Sequence, residues 1–99
     1  MLNKFTPIWK DVGSNIALLL RRSDITQEEF ATFLGVTPSI VSRYINGLRR
    51  IPIELFIIIG DLYLIPVNVL LFAPAKFERY VDREMKGNRF INVKKMICD

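Results

Sequence analysis

Two serines and an arginine share one face of a short helical segment. The apolar spacing predicts a helix over residues 38–45, in which Ser39, Ser42 and Arg43 lie opposite the inward-facing Val41. An arginine guanidinium can donate two hydrogen bonds to O6 and N7 of guanine, whereas a serine hydroxyl discriminates only weakly between bases. This face therefore has the chemistry needed to read a base edge, and Arg43 would contribute most of it.

Two further arginines, Arg49 and Arg50, follow in the loop after this helix. Their charge suits contact with phosphate, which positions a protein on a nucleic acid without reading its sequence. A simpler interpretation exists for each feature. Exposed arginines are commonly just solvated, and Ser39 and Ser42 can be polar surface residues. Residue types alone leave nucleic-acid binding and a plain basic surface both open.

The composition argues against several kinds of chemistry. The chain of 99 residues has 14 Lys and Arg against 10 Asp and Glu, no His and one cysteine, Cys98. Without His or clustered carboxylates we expect no catalytic residues, no metal site and no cofactor, so we do not expect an enzyme. No signal peptide is recognisable and no internal disulfide is possible, which favours a cytoplasmic location.

Two short helices separated by a turn position the arginine and the serines. Residues 27–34 carry apolar residues at helical spacing. A capping box formed by Thr26 and Glu29 marks the start of this helix. A glycine ends this helix, and a threonine–proline pair starts the next, residues 38–45. Two helices joined by a turn that begins with glycine form a helix-turn-helix. The residues that place both helices are Thr26, Glu29, Gly35, Thr37 and Pro38.

Further helices are predicted on both sides of this pair. Residues 7–22 have helical apolar spacing, and a fourth helix begins after Pro52. Residues 55–72 are apolar enough to suggest a membrane span, but Asp61 lies inside them, where it would cost about 2.5–3.5 kcal/mol. Pro66 also divides this run. We therefore predict two short buried helices and no association with a membrane.

Residues 13–71 resemble the lambda-repressor-like, or Xre-type, helix-turn-helix family. The shared features are the Thr-Gln-Glu-Glu sequence at the start of the second helix, the Leu-Gly-Val turn, and Ser-Arg followed by Asn-Gly. The resemblance implies an all-α domain of five helices over residues 1–73, whose third helix enters the major groove of double-stranded DNA.

The resemblance also assigns roles to individual residues. It implies base contacts by one set and contacts with the DNA backbone by another. Pro38 stands where the family often has a glutamine and cannot make a polar base contact, so base reading would rest mainly on Arg43. The implied base-contacting residues are Pro38, Ser39, Ser42 and Arg43, and the implied backbone-contacting residues are Gln27, Thr37, Asn46, Gly47, Arg49 and Arg50.

Residues 74–99 form a basic, amphipathic C-terminal extension. They carry seven basic and four acidic residues. We predict a helix over residues 76–86, whereas residues 89–97 fit either a helix or a strand. We expect this extension to fold against the first helix, the fourth helix or both. It would then either help to build a homodimer or simply cover the core of a monomer.

Several apolar residues occupy positions that the family usually leaves polar. Leu18, Leu19 and Leu20 are consecutive on the first helix, so we expect that they do not all point into one core. An apolar surface that remains exposed marks a contact with a partner. The surplus residues are Leu18, Leu20, Ile40, Ile45, Leu48 and Ile58.

The sequence therefore predicts a sequence-specific DNA-binding regulator of transcription. We expect a repressor of phage or mobile-element type, acting as a homodimer on a near-palindromic operator. One alternative is an antitoxin that binds operator DNA and also a toxin, through the apolar surface or the C-terminal extension. Another is a protein-interaction module that kept this fold without DNA binding.

Overall fold

A computed structural model describes residues 5–98, with side chains described from residue 8 onward. Residues 1–4 and 99, which the predicted segment boundaries include, lie outside the described residues. Every regular element described is helical, which confirms the all-α prediction. The elements are α1 (Phe5–Ser23), α2 (Gln27–Leu34), α3 (Pro38–Ile45), α4 (Ile53–Tyr63), a 3₁₀ helix (Val67–Leu71), α5 (Pro74–Glu84) and α6 (Arg89–Cys98).

The predicted helices differ from the observed ones at some of their boundaries and in the type of one element. The first helix begins at Phe5, two residues earlier than expected, and the fifth element is a 3₁₀ helix of five residues. Tighter 3₁₀ turns are common in such short connectors. The ambiguous segment 89–97 is helical. None of the helices described between residues 5 and 98 has the length and hydropathy needed to cross a membrane.

Helix α1 lies at the centre of the fold, and this corrects one expectation. Leu18, Leu19 and Leu20 are all buried in the same apolar core. The expectation that they could not share a core was wrong, because α3, the 3₁₀ helix, α5 and α6 pack around α1. A helix that is covered on several sides can bury three consecutive side chains.

The C-terminal helices pack into this core. Phe77 and Val81 of α5 and Val93 of α6 are buried in the cluster that contains the leucines of α1. Helix α6 contacts α1, α2 and α4, and its Phe90 ring lies 6.2 Å from the Tyr63 ring of α4. Residues 74–98 therefore pack against both the first and the fourth helix.

Buried polar groups are satisfied inside the core. The Asn15 amide donates hydrogen bonds to the carbonyl oxygens of Leu70 and Phe72, at 3.0 and 2.8 Å, and so holds the end of the 3₁₀ helix against α1. The hydroxyl oxygens of Ser23 and Tyr63 are 2.8 Å apart. Burial raises the pKa of Tyr63 to about 12, although the hydrogen bond with Ser23 opposes that rise.

The remaining apolar residues divide into two groups. Ile40 and Ile45 are half-buried and pack against the core, so they contribute little free apolar surface. Leu48 is 77% exposed, and Ile58 on α4 is also exposed. Ile53 and Ile57 add to the exposed apolar surface of α4. Of the surplus apolar residues, those that stay exposed are therefore on α4 and the loop before it, not on α1.

Candidate nucleic-acid interface

The start of α2 is held by the predicted capping box. The backbone amide of Glu29 donates to the Thr26 hydroxyl at 3.1 Å, and the Thr26 amide donates to the Glu29 carboxylate at 2.9 Å. The hydrogen bond from the Thr26 backbone, assisted by one from the Cys98 thiol, lowers the pKa of Glu29 to about 2. Gln27, the first residue of α2, is thereby fixed in an exposed position.

The turn between α2 and α3 has the geometry that its residue types predict. Gly35 has a left-handed backbone, with φ at 75°, and its amide donates to carbonyl oxygens at the end of α2. The Thr37 hydroxyl then accepts a hydrogen bond from the Ile40 amide at 3.2 Å, and Pro38 occupies the first turn of α3. Both ends of the turn are therefore fixed by local interactions.

The residues expected to face bases are not equally available. Pro38, Ser39 and Arg43 are exposed on α3, whereas Ser42 is half-buried. Among the described residues Arg43 has no ion-pair or hydrogen-bond partner, so its guanidinium can donate to a ligand. Ser42 is engaged with Asn46, whose side-chain amide donates to the Ser42 carbonyl oxygen at 2.8 Å and approaches its hydroxyl at 3.4 Å.

The residues expected to touch the DNA backbone lie at both ends of α3. Thr37 caps its first turn and Asn46 caps its last, so both side chains also serve the helix itself. In the loop that follows, Arg49 and Arg50 are exposed. Gly47 has a left-handed backbone, with φ at 70°. Gln27 at the start of α2 and Ile45 at the end of α3 line one groove, so the two helix ends meet there.

Two glycines allow α1 to approach the end of α3, and sequence reasoning missed this role. A Cβ on Gly13 would clash with the carbonyl oxygens of Tyr44 and Ile45. A Cβ on Gly47 would lie 2.5 Å from the Cα of Lys10. A glycine inside an amphipathic helix can indicate such a close backbone approach. Because both glycines lack a side chain, α1 fixes the position of α3 and of its exit loop.

The site offers hydrogen-bond donors and positive charge. Within residues 5–98, no three carboxylates, thiols or imidazoles cluster as they would around a metal ion. An exposed guanidinium on a short, well-capped helix and two more in the next loop can bind a polyanion and read a base edge. This arrangement is suited to duplex DNA, whose major groove admits an α-helix.

Comparison with known proteins agrees with this geometry. A family model described as Helix-turn-helix matches residues 16–70, which is more than half of the chain. The chain is also similar to the protein named Antitoxin PezA from Streptococcus pneumoniae serotype 4, with 42% identity over 48 residues. That match covers 48% of this chain and 30% of the antitoxin, so the chain spans under a third of that relative's length.

No solved structure gives a significant match. The family match spans α2, the turn and α3, together with part of α1 and the whole of α4. It therefore includes every residue expected to contact DNA. The chain belongs to the lambda-repressor-like, or Xre-type, helix-turn-helix family, and this membership supports a DNA-binding regulatory role.

Proposed function

We propose that this protein is a sequence-specific regulator of transcription that represses from an operator in the cytoplasm. The observation that carries the proposal is the exposed Arg43 on a recognition helix whose ends are both capped. A guanidinium held on a fixed helix can form the paired hydrogen bonds to guanine that separate one base pair from another. Pro38 and Ser39 lie beside it at the start of α3 and would contribute shape and weak hydrogen bonding.

The backbone contacts in this proposal come from the two ends of α3 and the start of α2. Gln27, Thr37 and Asn46 would donate to phosphate oxygens, and Arg49 and Arg50 would add charge. Contacts of this kind fix the register of the protein on the duplex, and reading of bases is left to the recognition helix. Ser42 has a smaller role than Arg43, because it is half-buried and engaged with Asn46.

The test separates reading of sequence from attraction to phosphate. Selection from a random duplex library would identify the best operator, and fluorescence titration would then compare that operator with a scrambled duplex. Arg43→Ala should reduce the preference for the operator by about 1–3 kcal/mol. Arg49→Ala should weaken binding to both duplexes similarly. If Arg43→Ala leaves the ratio of the two affinities intact, the proposed recognition helix is wrong.

The proposal includes a homodimer on a near-palindromic site. Its support is the exposed apolar surface of α4 and the loop before it, where Leu48, Ile53 and Ile57 meet solvent. Light scattering should give the mass of a dimer, and Ile57→Asp should lower it. Ile91→Asp, at an exposed position on α6, is the matched control and should leave the mass unchanged. A monomeric wild-type protein both free and on its operator would contradict a dimer.

The similarity to Antitoxin PezA supports a second candidate function, an antitoxin that binds both operator DNA and a toxin. The same exposed apolar surface would then meet a protein of another kind. A toxin that copurifies with the protein and is released by Ile57→Asp would favour this candidate. A protein-interaction module is the third possibility. It would show no salt-dependent binding to random duplex DNA.

A further inference from the structure

A groove of about 610 Å³ opens between α1, the start of α2 and the end of α3. Gln27 and Ile45 line it from α2 and α3, and Ala17 and Arg21 line it from α1. Ile45 directly precedes Asn46. The groove therefore lies between two residues that the proposed function assigns to the DNA backbone. A phosphodiester strand that passes from Gln27 to Asn46 would cross it, and Arg21 would face that strand.

Arg21 and Arg22 are neighbours in the last turn of α1 but have different surroundings. The Arg22 guanidinium is 2.8 Å from the Asp82 carboxylate and 3.8 Å from that of Glu78, so α5 neutralises it. Arg21 is exposed, and in the part of the chain that the structure describes it has no ion pair. Arg21 and Asp24 both line the groove beside Gln27, and within residues 5–98 no ion pair joins them, so the Arg21 guanidinium can donate to an anion.

Lys10 lies on the same face of α1 as Arg21. The two residues are eleven positions apart, which is about three helical turns and about 16 Å. Between them, Gly13, which has no side chain, and Ala17, which has only a methyl group, lie on the side that meets the end of α3. Lys10 itself packs against Gly47 in the loop after α3 and is exposed. One face of α1 thus has a basic residue at each end and small residues where α3 approaches.

We infer that this face of α1 is a second phosphate-binding row, in which Arg21 and Lys10 contact the backbone of duplex DNA on either side of the end of α3. The inference rests on the proposed function, because it assumes that α3 enters the groove of a duplex. A basic residue that neutralises a phosphate releases condensed counterions, which makes binding depend on salt concentration. The alternative is that Arg21 interacts only with the dipole at the C-terminus of α1. Arg22 lies in the same turn and would interact with the dipole in the same way, so it can serve as a control.

The experiment measures binding to a random duplex by fluorescence titration between about 50 and 200 mM NaCl. The variants are Arg21→Ala, Lys10→Ala and their double variant, with Arg22→Ala as the matched control and Arg21→Lys as a rescue. Loss of one phosphate contact should reduce the slope of log K against log salt by about 0.9. The fold-loss of affinity across this salt range should therefore shrink by about 3.5-fold for each contact removed.

We expect Arg21→Ala and Lys10→Ala each to reduce the slope, the double variant to reduce it twice as much, and Arg21→Lys and Arg22→Ala to keep it. Circular dichroism should be unchanged in all of them, because these side chains are exposed. If the slope for Arg21→Ala equals that of the wild type, the inference is wrong and the proposed function still stands. An equal reduction by Arg22→Ala would also overturn it, since net charge would then explain the effect. No salt-dependent binding by the wild type would overturn the proposed function and the inference together.

Discussion

The recognition unit, residues 26–50, and the C-terminal cover, residues 74–98, are held in place in different ways. In the recognition unit the side-chain hydrogen bonds join residues three or four positions apart, as between Thr26 and Glu29 or between Ser42 and Asn46. In the cover, apart from an ion pair between the neighbours Arg83 and Glu84, the polar side-chain contacts described span far more of the chain. Asp82 pairs with Arg22 across 60 positions, and Lys94 pairs with Glu29 across 65.

Because of this difference, some exposed side chains of the recognition unit have no part in holding the fold. Because local caps fix the ends of α2 and α3, exposed residues such as Arg43 are not needed to hold the fold and can bind a ligand. The ion pairs of the cover are exposed, and exposed ion pairs contribute little to stability. Burial must hold it, and Phe77, Val81 and Val93 are buried in the core that surrounds α1. The two regions are therefore joined through α1.

The largest expected effect is that of Phe77→Ala. Phe77 is fully buried on α5, and removing such a ring costs about 3–5 kcal/mol in the free energy of unfolding. If the cover and the recognition unit share one core, urea unfolding should remain a single transition at a lower midpoint, with α2 and α3 lost together with α5. Far-ultraviolet circular dichroism and Trp9 fluorescence should give the same midpoint.

The matched control is Ile91→Ala, an exposed aliphatic residue on α6, which should change stability by less than about 0.5 kcal/mol. Two separated transitions in Phe77→Ala, with the recognition unit unfolding last at its original midpoint, would show that the cover is independent. The recognition unit and the cover would then be two cooperative folding units instead of one.

The same contrast explains which parts of the fold could be predicted. The boundaries of α2 and α3 depend on Thr26, Gly35 and Thr37, each of which acts within a few residues, so the spacing alone identifies them. The burial of Leu18 and Leu20 could not be predicted, because it depends on helices that lie far further along the chain. A local pattern contains no information about which distant helix will cover a given face.

The candidate site divides in the same way. The exposed position of Arg43 follows from helical spacing relative to Val41, and it could be predicted. The engagement of Ser42 with Asn46 depends on a choice of rotamer at the end of α3, which spacing does not determine. The role of Gly13 requires knowing that α1 crosses α3 there, and the sequence shows only a glycine inside a helix.

Gly13→Ala tests the contact between α1 and the end of α3. At an open helical position, this substitution would stabilise the protein by roughly 0.5–1 kcal/mol. Here the added Cβ meets the carbonyl oxygens of Tyr44 and Ile45, so we expect a loss of about 1–3 kcal/mol in urea unfolding. Ser14→Ala, at the next and exposed position, should stay within about 0.5 kcal/mol of wild type. A more stable Gly13→Ala would show that the two helices separate freely.

Thr37→Ala tests the local support of the recognition helix. The Thr37 hydroxyl accepts the Ile40 amide at the start of α3, and loss of such a cap costs about 1 kcal/mol. Hydrogen exchange should speed up first at the amides of the first turn of α3, while α5 and α6 stay protected. Thr37→Ser keeps the hydroxyl and should restore protection. Equal acceleration in α5 would contradict local capping.

Glu29→Gln has the smallest expected effect and acts where the two regions meet. The Glu29 carboxylate accepts from the Thr26 amide and lies 3.4 Å from Lys94 of α6. Its pKa falls from the ordinary value of 4.5 to about 2 in the folded protein, so the charged form favours folding. This contribution is present above pH 4.5 and is lost as the pH falls toward 2.

Urea unfolding of wild type and Glu29→Gln at a series of pH values should therefore give a difference that is constant near neutral pH and shrinks between pH 4.5 and 2. Glu28→Gln is the control, because it removes the same charge from an exposed side chain one position earlier that makes no side-chain hydrogen bond or ion pair with the described residues. Added salt should reduce the part of the difference that comes from Lys94 and leave the parts that come from the hydrogen bonds of the Thr26 amide and the Cys98 thiol. A difference that salt abolishes completely would mean that Glu29 acts through its ion pair with Lys94 alone, and the local support of α2 would then be weaker than the capping geometry implies.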